Sequence, residues 1–447
     1  MRPYDAIVLG AGPAGSLTAY HLASAGAAVL LADRARFPRD KPCGGGLTAR
    51  AVRALPFSPA PVVEREVDRL VVRLRGSHVL ERRSSAPLVS MTQRIALDAF
   101  LVEQAAAAGA EFVDGARATA IAAHDATVRF GDRVARGRVV VGADGANGIS
   151  ARTIGVAREF GVALEGRLAY RDGAACHDRR TALIELDGIV GGYGWLFPKG
   201  DHLNVGVGGV RQEGPRLRRH LQRLCVAHGA EAERLEGVRG FRLPIRASGA
   251  VPVKGRVLLV GDAAGLIDPA SGDGMYEAFV SARLAADAVL TLLAGRDGGL
   301  AAYAADLDRA LGPLHALSWD VKLALERFPR LMLALADTAT GWSDLEAIVG
   351  GRRPDARLSR RLRAAIGVLA LAARLTGDPG QPWRLQARPA LRRRSLRRGP
   401  RHAADLRVRV DADEQHRADE AGVDPGGRVL PVDVAAEARE RDHVEDA

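Results

Sequence analysis

The feature that most constrains the fold is a strand, a glycine-rich turn and a helix at the start of the chain. An apolar run at residues 6–9 has the length and bulk of a buried parallel strand. Directly after it the sequence reads Gly10, Ala11, Gly12, Pro13, Ala14 and Gly15. Residues 16–24 suit a helix with one apolar face, and a second apolar run at 28–32 ends in Asp33 and Arg34. This order is typical of the first unit of a dinucleotide-binding domain.

The glycines of this turn each have a physical reason. Gly10 permits the tight turn off the strand, Gly12 leaves room for backbone to approach a pyrophosphate, and Gly15 lets helix and strand pack closely. The phosphates of the ligand then face the unpaired N–H groups and the positive dipole at the helix start. Asp33 lies 18 residues after Gly15, near the roughly 20 at which an acidic residue binds a ribose hydroxyl. The alternative is a glycine-rich turn in a chain rich in alanine and glycine.

Composition excludes several classes of protein. The 447 residues are enough for two or three domains, and the net charge of +11 comes from basic residues spread along the chain. We therefore expect no nucleic-acid partner, whereas an anionic membrane surface is a better match. Cys43, Cys176 and Cys225 have neither metal-ligand spacing nor the pattern of a disulfide framework. We expect no metal, and a cytoplasmic protein lying peripherally on the inner face of the membrane.

Strands that end in a glycine and an acid recur far along the chain and indicate a discontinuous domain. Apolar runs at 139–141 and 257–260 lead to Asp144 and to the pair Gly261 and Asp262. We predict an α/β fold, in which a Rossmann-like domain is interrupted by an inserted antiparallel substrate-binding sheet and followed by helices. The predicted domains are a nucleotide-binding domain at 1–60, 91–158 and 250–300, a sheet domain at 61–90 and 159–249, a helical region at 301–377, and a disordered tail, Arg-rich and then acidic, at 378–447.

A cysteine stands at the head of a glycine run at residues 41–47, KPCGGGL. Consecutive glycines cost conformational entropy unless something flat must lie close to the backbone. Cys43, Gly44 and Gly45 are therefore candidate contacts of a bound cofactor. The alternative for Cys43 is a small buried hydrophobic residue.

Tyr193, Trp195 and Phe197 alternate along a predicted hairpin strand that ends at Pro198. Period-two alternation places the three rings on one face of a sheet. They form either an aromatic cluster in the core of the sheet or, with Pro198, an apolar wall for a bulky, flat or greasy substrate.

Helices are predicted in the remainder of the folded chain. Gly272 and Gly274 precede a long helix at 275–293, where free N–H groups and the helix dipole suit an electron-rich ring edge. Residues 314–336 are amphipathic, and 358–375 contain an apolar stretch flanked by arginines. That last helix either lies in a membrane interface, with its arginines reaching phosphates, or packs on the protein itself.

Taken together, these motifs resemble those of FAD-dependent oxidoreductases of the aromatic-hydroxylase group, and within it the geranylgeranyl reductase family. The resemblance covers residues 4–375, and its narrower signals are the segments 41–47 and 193–199, close to the family patterns P-C-G-G-G and Y-x-W-x-F-P. It implies that FAD is bound, that Arg94 and Asp262 hold its pyrophosphate and ribityl oxygens, and that the cysteine loop lies against the flavin. One departure is Asp273, where related sequences usually carry glutamate.

The resemblance also implies a reaction: saturation of isoprenoid double bonds by a hydride from flavin N5 and a proton. Cys43, Tyr193 and Trp195 become the candidate catalytic residues, with Cys43 or a bound water as the acid and Tyr193 as a relay. The isoprenoid substrate would be a geranylgeranyl lipid, the chlorophyll side chain or the menaquinone side chain. The electron donor is open between NAD(P)H and a ferredoxin-like or quinol partner, because no second G-x-G-x-x-G occurs.

Three other functions are compatible with a flavoprotein of this kind. A flavin monooxygenase or halogenase has a similar aromatic motif, but a halogenase needs a lysine beside its substrate and the chain has only Lys41, Lys199, Lys254 and Lys322. An electron-transfer flavoprotein that reduces a membrane quinone usually adds a cysteine-rich iron–sulfur region, which three scattered cysteines do not provide. The third alternative is a flavin-bound, membrane-associated scaffold that catalyses no reaction.

Overall fold

The secondary structure comes from a computed structural model, which describes residues 4–170, 178–247, 249–296, 298–350 and 358–376. The predicted tail at 378–447 and Cys176 lie outside the described residues. The strands, in chain order, are β1 (Tyr4–Leu9), β2 (Val29–Ala32), β3 (Gly46–Thr48), β4 (Val63–Val67), β5 (Arg69–Leu74), β6 (Ser77–Arg83), β7 (Val89–Thr92), β8 (Glu111–Val113), β9 (Ala120–Ala122), β10 (Thr127–Phe130), β11 (Arg133–Gly142), β12 (Arg158–Ala169), β13 (Thr181–Leu186), β14 (Tyr193–Pro198), β15 (His202–Val210), β16 (Glu236–Arg246), β17 (Val253–Lys254) and β18 (Val257–Leu259). The α-helices are α1 (Pro13–Ser24), α2 (Ala49–Ala54), α3 (Arg94–Ala107), α4 (Ser150–Ile154), α5 (Leu217–Ala227), α6 (Met275–Leu293), α7 (Gly299–Arg327), α8 (Pro329–Asp337), α9 (Ala339–Val349) and α10 (Arg360–Thr376).

A largely parallel sheet carries the first motif. Its main order is β17-β18-β11-β1-β2-β8, and β18, β11, β1, β2 and β8 run parallel. Residues 6–9 of β1 are buried because both faces of the sheet are covered, and α1 packs against α3 and α6. The strands predicted at 139–141 and 257–260 belong to this sheet, where β11 pairs with β1 and β18 pairs with β11. The carboxyl ends of β1, β11 and β18 therefore meet at one edge.

A second sheet of seven strands has the order β16-β12-β15-β14-β13-β5-β6, antiparallel except for the parallel pair β13 and β5. Helix α5 covers one face through Leu221 and Leu224, which pack in one cluster with Leu196 and Val205. The predicted α/β fold with an inserted sheet is confirmed. Strand β4, which we expected in this sheet, instead pairs with β7 in a separate three-stranded sheet.

The C-terminal helices follow the predicted pattern with one interruption. We expected a continuous amphipathic helix at 314–336, but α7 ends at Arg327 and α8 begins at Pro329. The cause is Pro329, since proline disfavours helical geometry at the residue before it and Phe328 has φ −130° and ψ 52°. In the part of the chain that the structure describes, no helix combines the length and the apolarity that crossing a membrane requires.

Candidate active site

A cavity of about 750 Å³ lies between the carboxyl ends of the parallel strands and the face of the second sheet that α5 leaves uncovered. Almost all the residues predicted from the sequence border it. They are Gly10, Gly12, Pro13, Ala14, Asp33, Arg34, Cys43, Gly44, Gly45, Arg94, Asp144, Tyr193, Trp195, Phe197, Gly261, Asp262, Gly272 and Gly274. Gly15 and Pro198 are not part of the lining. Pro198 shares its side of β14 with Leu196, which packs toward α5, so its predicted role in the wall is not supported.

The first turn shows why its glycines are needed. A Cβ atom on Gly15 would lie 1.8 Å from the carbonyl oxygen of Gly10, so this glycine allows α1 to pack on the end of β1. Gly10 has φ +100°, and a Cβ there would lie 2.4 Å from the Ala143 oxygen. Gly12 is different, because a Cβ there would meet only arginine side-chain atoms, at 3.5 Å and beyond. The space above Gly12 is thus open to a ligand.

Two arginines border that open space. The Arg94 guanidinium donates two hydrogen bonds to Asp98, at 2.7 and 2.8 Å, and Arg39 approaches the same carboxylate at 2.8 Å. Arg39 also lies 3.7 Å from Asp33. Both arginines line the cavity beside Gly12, so the site presents two oriented cations where a diphosphate would lie. Sequence reasoning missed Arg39, which stands in a polar loop with no motif to mark it.

The predicted acidic residues have defined partners. Asp33 accepts hydrogen bonds from the backbone N–H groups of Ala11 and Ala35, both at 2.8 Å, which fixes its carboxylate at the end of β2. Asp262 pairs with Lys41 at 3.1 Å. Asp144 accepts from the Ser150 N–H at 2.9 Å, and burial raises the pKa of this carboxyl.

The aromatic residues form a wall at the other side of the cavity. Trp195 and Tyr193 lie directly opposite Gly206 and Gly208 of β15, and the Trp195 ring covers Gly206 so closely that a Cβ there would lie 2.2 Å from it. The Trp195 ring stacks near that of Phe197 with centroids 6.2 Å apart. Trp195 is 7% exposed. Because Gly206 has no side chain, the Trp195 ring can lie directly against the backbone of β15.

Tyr193 connects the wall to the loop before α6. Its hydroxyl donates to the backbone carbonyl of Ser271, and burial is the main cause that raises the pKa of this phenol. A backbone carbonyl has no proton to pass on. The bond therefore supports a role in joining two elements rather than the relay that we predicted.

The cysteine loop packs against the same wall. A Cβ on Gly44 would lie 3.1 Å from the Phe197 ring, and Gly45 has φ +64°. The buried Lys199 ammonium donates to the carbonyls of Gly44, at 2.6 Å, and Thr92, at 2.9 Å. Burial lowers the pKa of Lys199 to about 8. The lysine at the end of the aromatic motif thus holds the cysteine loop, a role that the sequence motif alone does not reveal.

Behind the loop before α6 lies a buried group of ionisable side chains. Glu277 is 0% exposed, and neither of its carboxylate oxygens has a hydrogen-bond partner among the described residues. The Arg50 guanidinium lies 3.6 Å from its carboxylate, and the His315 ring lies 3.9 Å from it. Burial, and secondly the neighbouring Asp273, raise the pKa of Glu277 well above its ordinary value, and burial lowers the pKa of His315.

We expect a Glu277→Gln variant to be more stable than the wild type at pH 8, with a smaller gain at pH 5. A carboxyl whose pKa is raised by folding destabilises the folded state as pH rises above its unfolded value, by about 1.4 kcal/mol per unit of the shift. Glutamine removes that cost. Thermal unfolding of the FAD-saturated protein at the two pH values measures it.

Glu185→Gln is the matched control, because its stability at pH 8 should change in the opposite direction. Glu185 is also buried, but the His228 ring, 3.5 Å away, and the hydrogen bond from the Gly76 N–H outweigh its desolvation and lower the pKa of its carboxyl. This variant should therefore lose stability at pH 8. An equal gain for Glu277→Gln at both pH values would show that folding does not raise the pKa of Glu277.

Comparisons with known proteins place this site in a family. A model described as "FAD binding domain" matches residues 3–164. The chain is 35% identical over 327 residues to the menaquinone reductase of Mycobacterium tuberculosis, covering 66% of this chain and 77% of that protein. It is 30% identical over 339 residues to the chloroplastic geranylgeranyl diphosphate reductase of Oryza sativa, covering 69% and 72%. The chain belongs to the geranylgeranyl reductase family.

Solved structures agree with the fold of this family. A geranylgeranyl bacteriochlorophyll reductase-like protein from Thermoplasma acidophilum aligns with a TM-score of 0.68 at 22% identity, over 82% of this chain and 96% of that one. The flavin-dependent brominase Bmp2 aligns with a TM-score of 0.65 at 19% identity, over 83% and 98%. At such identities the likeness shows a shared fold alone.

As a member of the geranylgeranyl reductase family, the chain is an FAD-dependent oxidoreductase, and its cavity fits FAD. The space over Gly12, which a single Cβ would partly fill, is bordered by the cations of Arg39 and Arg94 and suits the pyrophosphate. Asp33 would hold the adenosine ribose. The flavin end would lie toward Cys43 and Gly272, where the remaining predicted residues border the cavity.

Proposed function

We propose that the protein saturates carbon–carbon double bonds of an isoprenoid chain. We call the space over Gly12, bordered by Arg39 and Arg94, the pyrophosphate cradle. The observation that carries the proposal is that this cradle borders the same cavity as the aromatic wall and the Cys43 loop. A greasy substrate and the cofactor would therefore share one enclosure. Reduced FAD, when bound, supplies the hydride.

The chain's own residues would supply the other requirements of this reaction. As a proton reaches one carbon of an alkene, cationic character develops at its neighbour, which accepts the hydride, and the faces of aromatic rings stabilise positive charge. The apolar wall also excludes water that would capture such a centre. The Cys43 thiol, whose sulfur accepts a weak hydrogen bond from the Gly45 N–H at 3.4 Å, is the proposed proton donor.

The names of the relatives suggest the substrate class. Two of them are a menaquinone reductase and a geranylgeranyl diphosphate reductase, so we propose a geranylgeranyl lipid or the menaquinone side chain. The electron donor is proposed to be NAD(P)H or a ferredoxin-like or quinol partner.

An anaerobic experiment tests this function. The purified flavoprotein is photoreduced, menaquinone or a geranylgeranyl lipid is added in detergent, and flavin absorbance is followed together with the mass of the lipid. We expect reoxidised flavin and a gain of two hydrogens for each bond reduced. Flavin that stays reduced until air enters would favour a monooxygenase or halogenase, for which Lys322 at the cavity is the candidate lysine. Reoxidation by the quinone with an unchanged side chain would favour electron transfer.

We also propose that α10 lies on an anionic membrane surface. Ile366, Ala370 and Ala373 of this helix are buried against the protein, which accounts for one face. On the opposite face Val368, Leu371 and Leu375 are exposed by 66%, 54% and 77%. Exposed arginines, Arg360 and Arg361, precede this apolar stripe. A helix with an uncovered apolar stripe and flanking arginines suits a lipid headgroup region.

Replacing Leu371 and Leu375 with glutamate is expected to weaken binding to vesicles that contain phosphatidylglycerol by about 10-fold or more. Each leucine side chain contributes roughly 1.5–3 kcal/mol when it leaves water, and the new charges repel the lipid. Vesicle co-sedimentation measures the change. Val226→Glu is the control, because Val226 is 73% exposed on α5, away from this stripe. Equal binding by all three proteins would exclude α10 as the contact.

A further inference from the structure

A lysine of helix α7 belongs to the cavity lining and has no carboxylate partner among the described residues. The Lys322 ammonium donates a hydrogen bond to the backbone carbonyl of Gly191 at 2.5 Å. An ammonium has three N–H donors, so the described residues leave two of them unused. Lys41, the other lysine of the lining, is instead paired with Asp262 at 3.1 Å. Lys322 is therefore a cation of the cavity that the described residues do not neutralise.

Contacts of α7 with two loops of the cavity fix the position of this ammonium. One turn earlier on the helix, the Ser318 hydroxyl accepts a hydrogen bond from the Ala270 N–H at 2.9 Å. The Lys322 side chain lies against Gly191, where a Cβ would be 3.6 Å from both its Cε and its Nζ. Ala270 and Gly191 both line the cavity. The ammonium is thus held in place before a ligand arrives.

Lys322 and the cysteine loop lie at opposite ends of the aromatic wall. Gly191 precedes β14 at its Tyr193 end, whereas Gly44 lies against the ring of Phe197 at the other end. The extended strand rises about 3.3 Å per residue, so the two rings are about 13 Å apart along it. A chain that lies along the wall with its reacting bond near the cysteine loop would place its polar head at Lys322.

A head group that carries a negative charge suits this position best. Burial lowers the pKa of Lys322, while the charges of Glu326 and Asp268 act in the opposite direction. Asp268 is already committed, because one of its oxygens accepts hydrogen bonds from Ala270 and Ser271. An anionic oxygen would offset the cost of burying the ammonium and accept its unused N–H groups. A quinone carbonyl would accept the hydrogen bonds but supply no charge.

We propose that Lys322 binds a phosphate oxygen of the substrate's head group and so selects isoprenoid phosphates over menaquinone, an inference that rests on the proposed function. Lysine is a common ligand of phosphate, to which it presents a point charge. The chain of the substrate would lie along the aromatic wall while its head is held at α7. Lys322 determines specificity and takes no part in the transfer of hydride or proton.

The test compares two ligands that share one chain, geranylgeranyl diphosphate and geranylgeraniol, by calorimetric titration of the oxidised, FAD-loaded protein. We expect wild type to bind the diphosphate at least about 10-fold more tightly. Lys322→Met should raise the Kd for the diphosphate by roughly 10- to 100-fold, with the Kd for the alcohol, the FAD content and the Tm unchanged. A wild type without this preference would overturn the proposal. Equal losses for both ligands would reduce Lys322 to a support of the Gly191 loop, and an equal loss for menaquinone would exclude selection of phosphate.

Two further variants separate charge from structure. Lys322→Gln keeps an N–H donor for the Gly191 carbonyl but has no charge, so it should lose the preference as well, and it replaces the methionine variant if that one does not fold. Lys254→Met removes the same charge from an exposed position of β17 outside the cavity lining and should bind both ligands as wild type does. The titration needs no turnover. If wild type reduces no isoprenoid, the role of Lys322 in binding is therefore still decided, and only the proposed reaction fails.

Discussion

A Gly15→Ala variant is expected to lose most of its folded protein, whereas Gly12→Ala is expected to fold normally and to lose FAD. A Cβ on Gly15 would lie 1.8 Å from the Gly10 oxygen, so α1 must move off β1, at a cost of about 4 kcal/mol or more. At Gly12 the backbone has φ −79°, which alanine adopts freely, and the nearest protein atom to its Cβ is 3.5 Å away. The added methyl group instead occupies the space assigned to the pyrophosphate.

Thermal unfolding and titration of the apoprotein with FAD separate the two effects. Gly12→Ala should keep the apoprotein's Tm and bind FAD at least about 100-fold more weakly, which corresponds to about 2.8 kcal/mol. Each variant is the other's control, since both add one methyl group to the same turn. If Gly12→Ala bound FAD with wild-type affinity, the pyrophosphate would not lie over Gly12 as we have assigned it.

A Cys43→Ser variant is expected to retain FAD and to lose turnover by roughly 10²- to 10⁴-fold, the usual contribution of a positioned acid. Serine preserves the backbone N–H that Glu165 accepts and leaves the Lys199 contact with Gly44 in place. The loop should therefore keep its shape. A hydroxyl is a far weaker acid than a thiol, so the proton transfer is what fails.

Flavin absorbance and single-turnover reoxidation of the reduced enzyme by the lipid measure these two properties. Cys225→Ala is the control: this cysteine is 1% exposed on α5, and burial raises the pKa of its thiol to about 11. It should keep wild-type turnover in the folded fraction. Full activity in Cys43→Ser would show that Cys43 is not the proton donor but a small buried packing residue, the alternative that its sequence also permits.

Local sequence patterns predicted the elements well, because each pattern acts through neighbouring residues. Residues 275–293 were predicted as a helix and form α6. The wall of Tyr193, Trp195 and Phe197 follows from period-two alternation alone. The glycine turn predicted both its own geometry and the position of the cavity.

The contacts that complete the site could not be predicted, because they join segments far apart in the chain. Lys199 reaches Gly44 across 155 positions and Glu165 reaches Cys43 across 122. Nothing in the residues around Glu165 marks it, since a strand residue's partner depends on which loop is folded over it. Arg39 was missed for the same reason, as its partner Asp98 lies on α3.

The order of strands in the parallel sheet has a consequence for how the protein is made. Strand β18 lies directly beside β11 and is followed by Gly261 and Asp262, so the cavity lacks one side until that segment has left the ribosome. The loop before α6, which Tyr193 holds through Ser271, is synthesised later still. Since chains grow from the N-terminus at about 5–20 residues per second, the motif at Gly10 waits tens of seconds for its partners. Capture of the flavin is therefore a late event of biosynthesis, and nascent chains arrested before residue 257 should emerge without it.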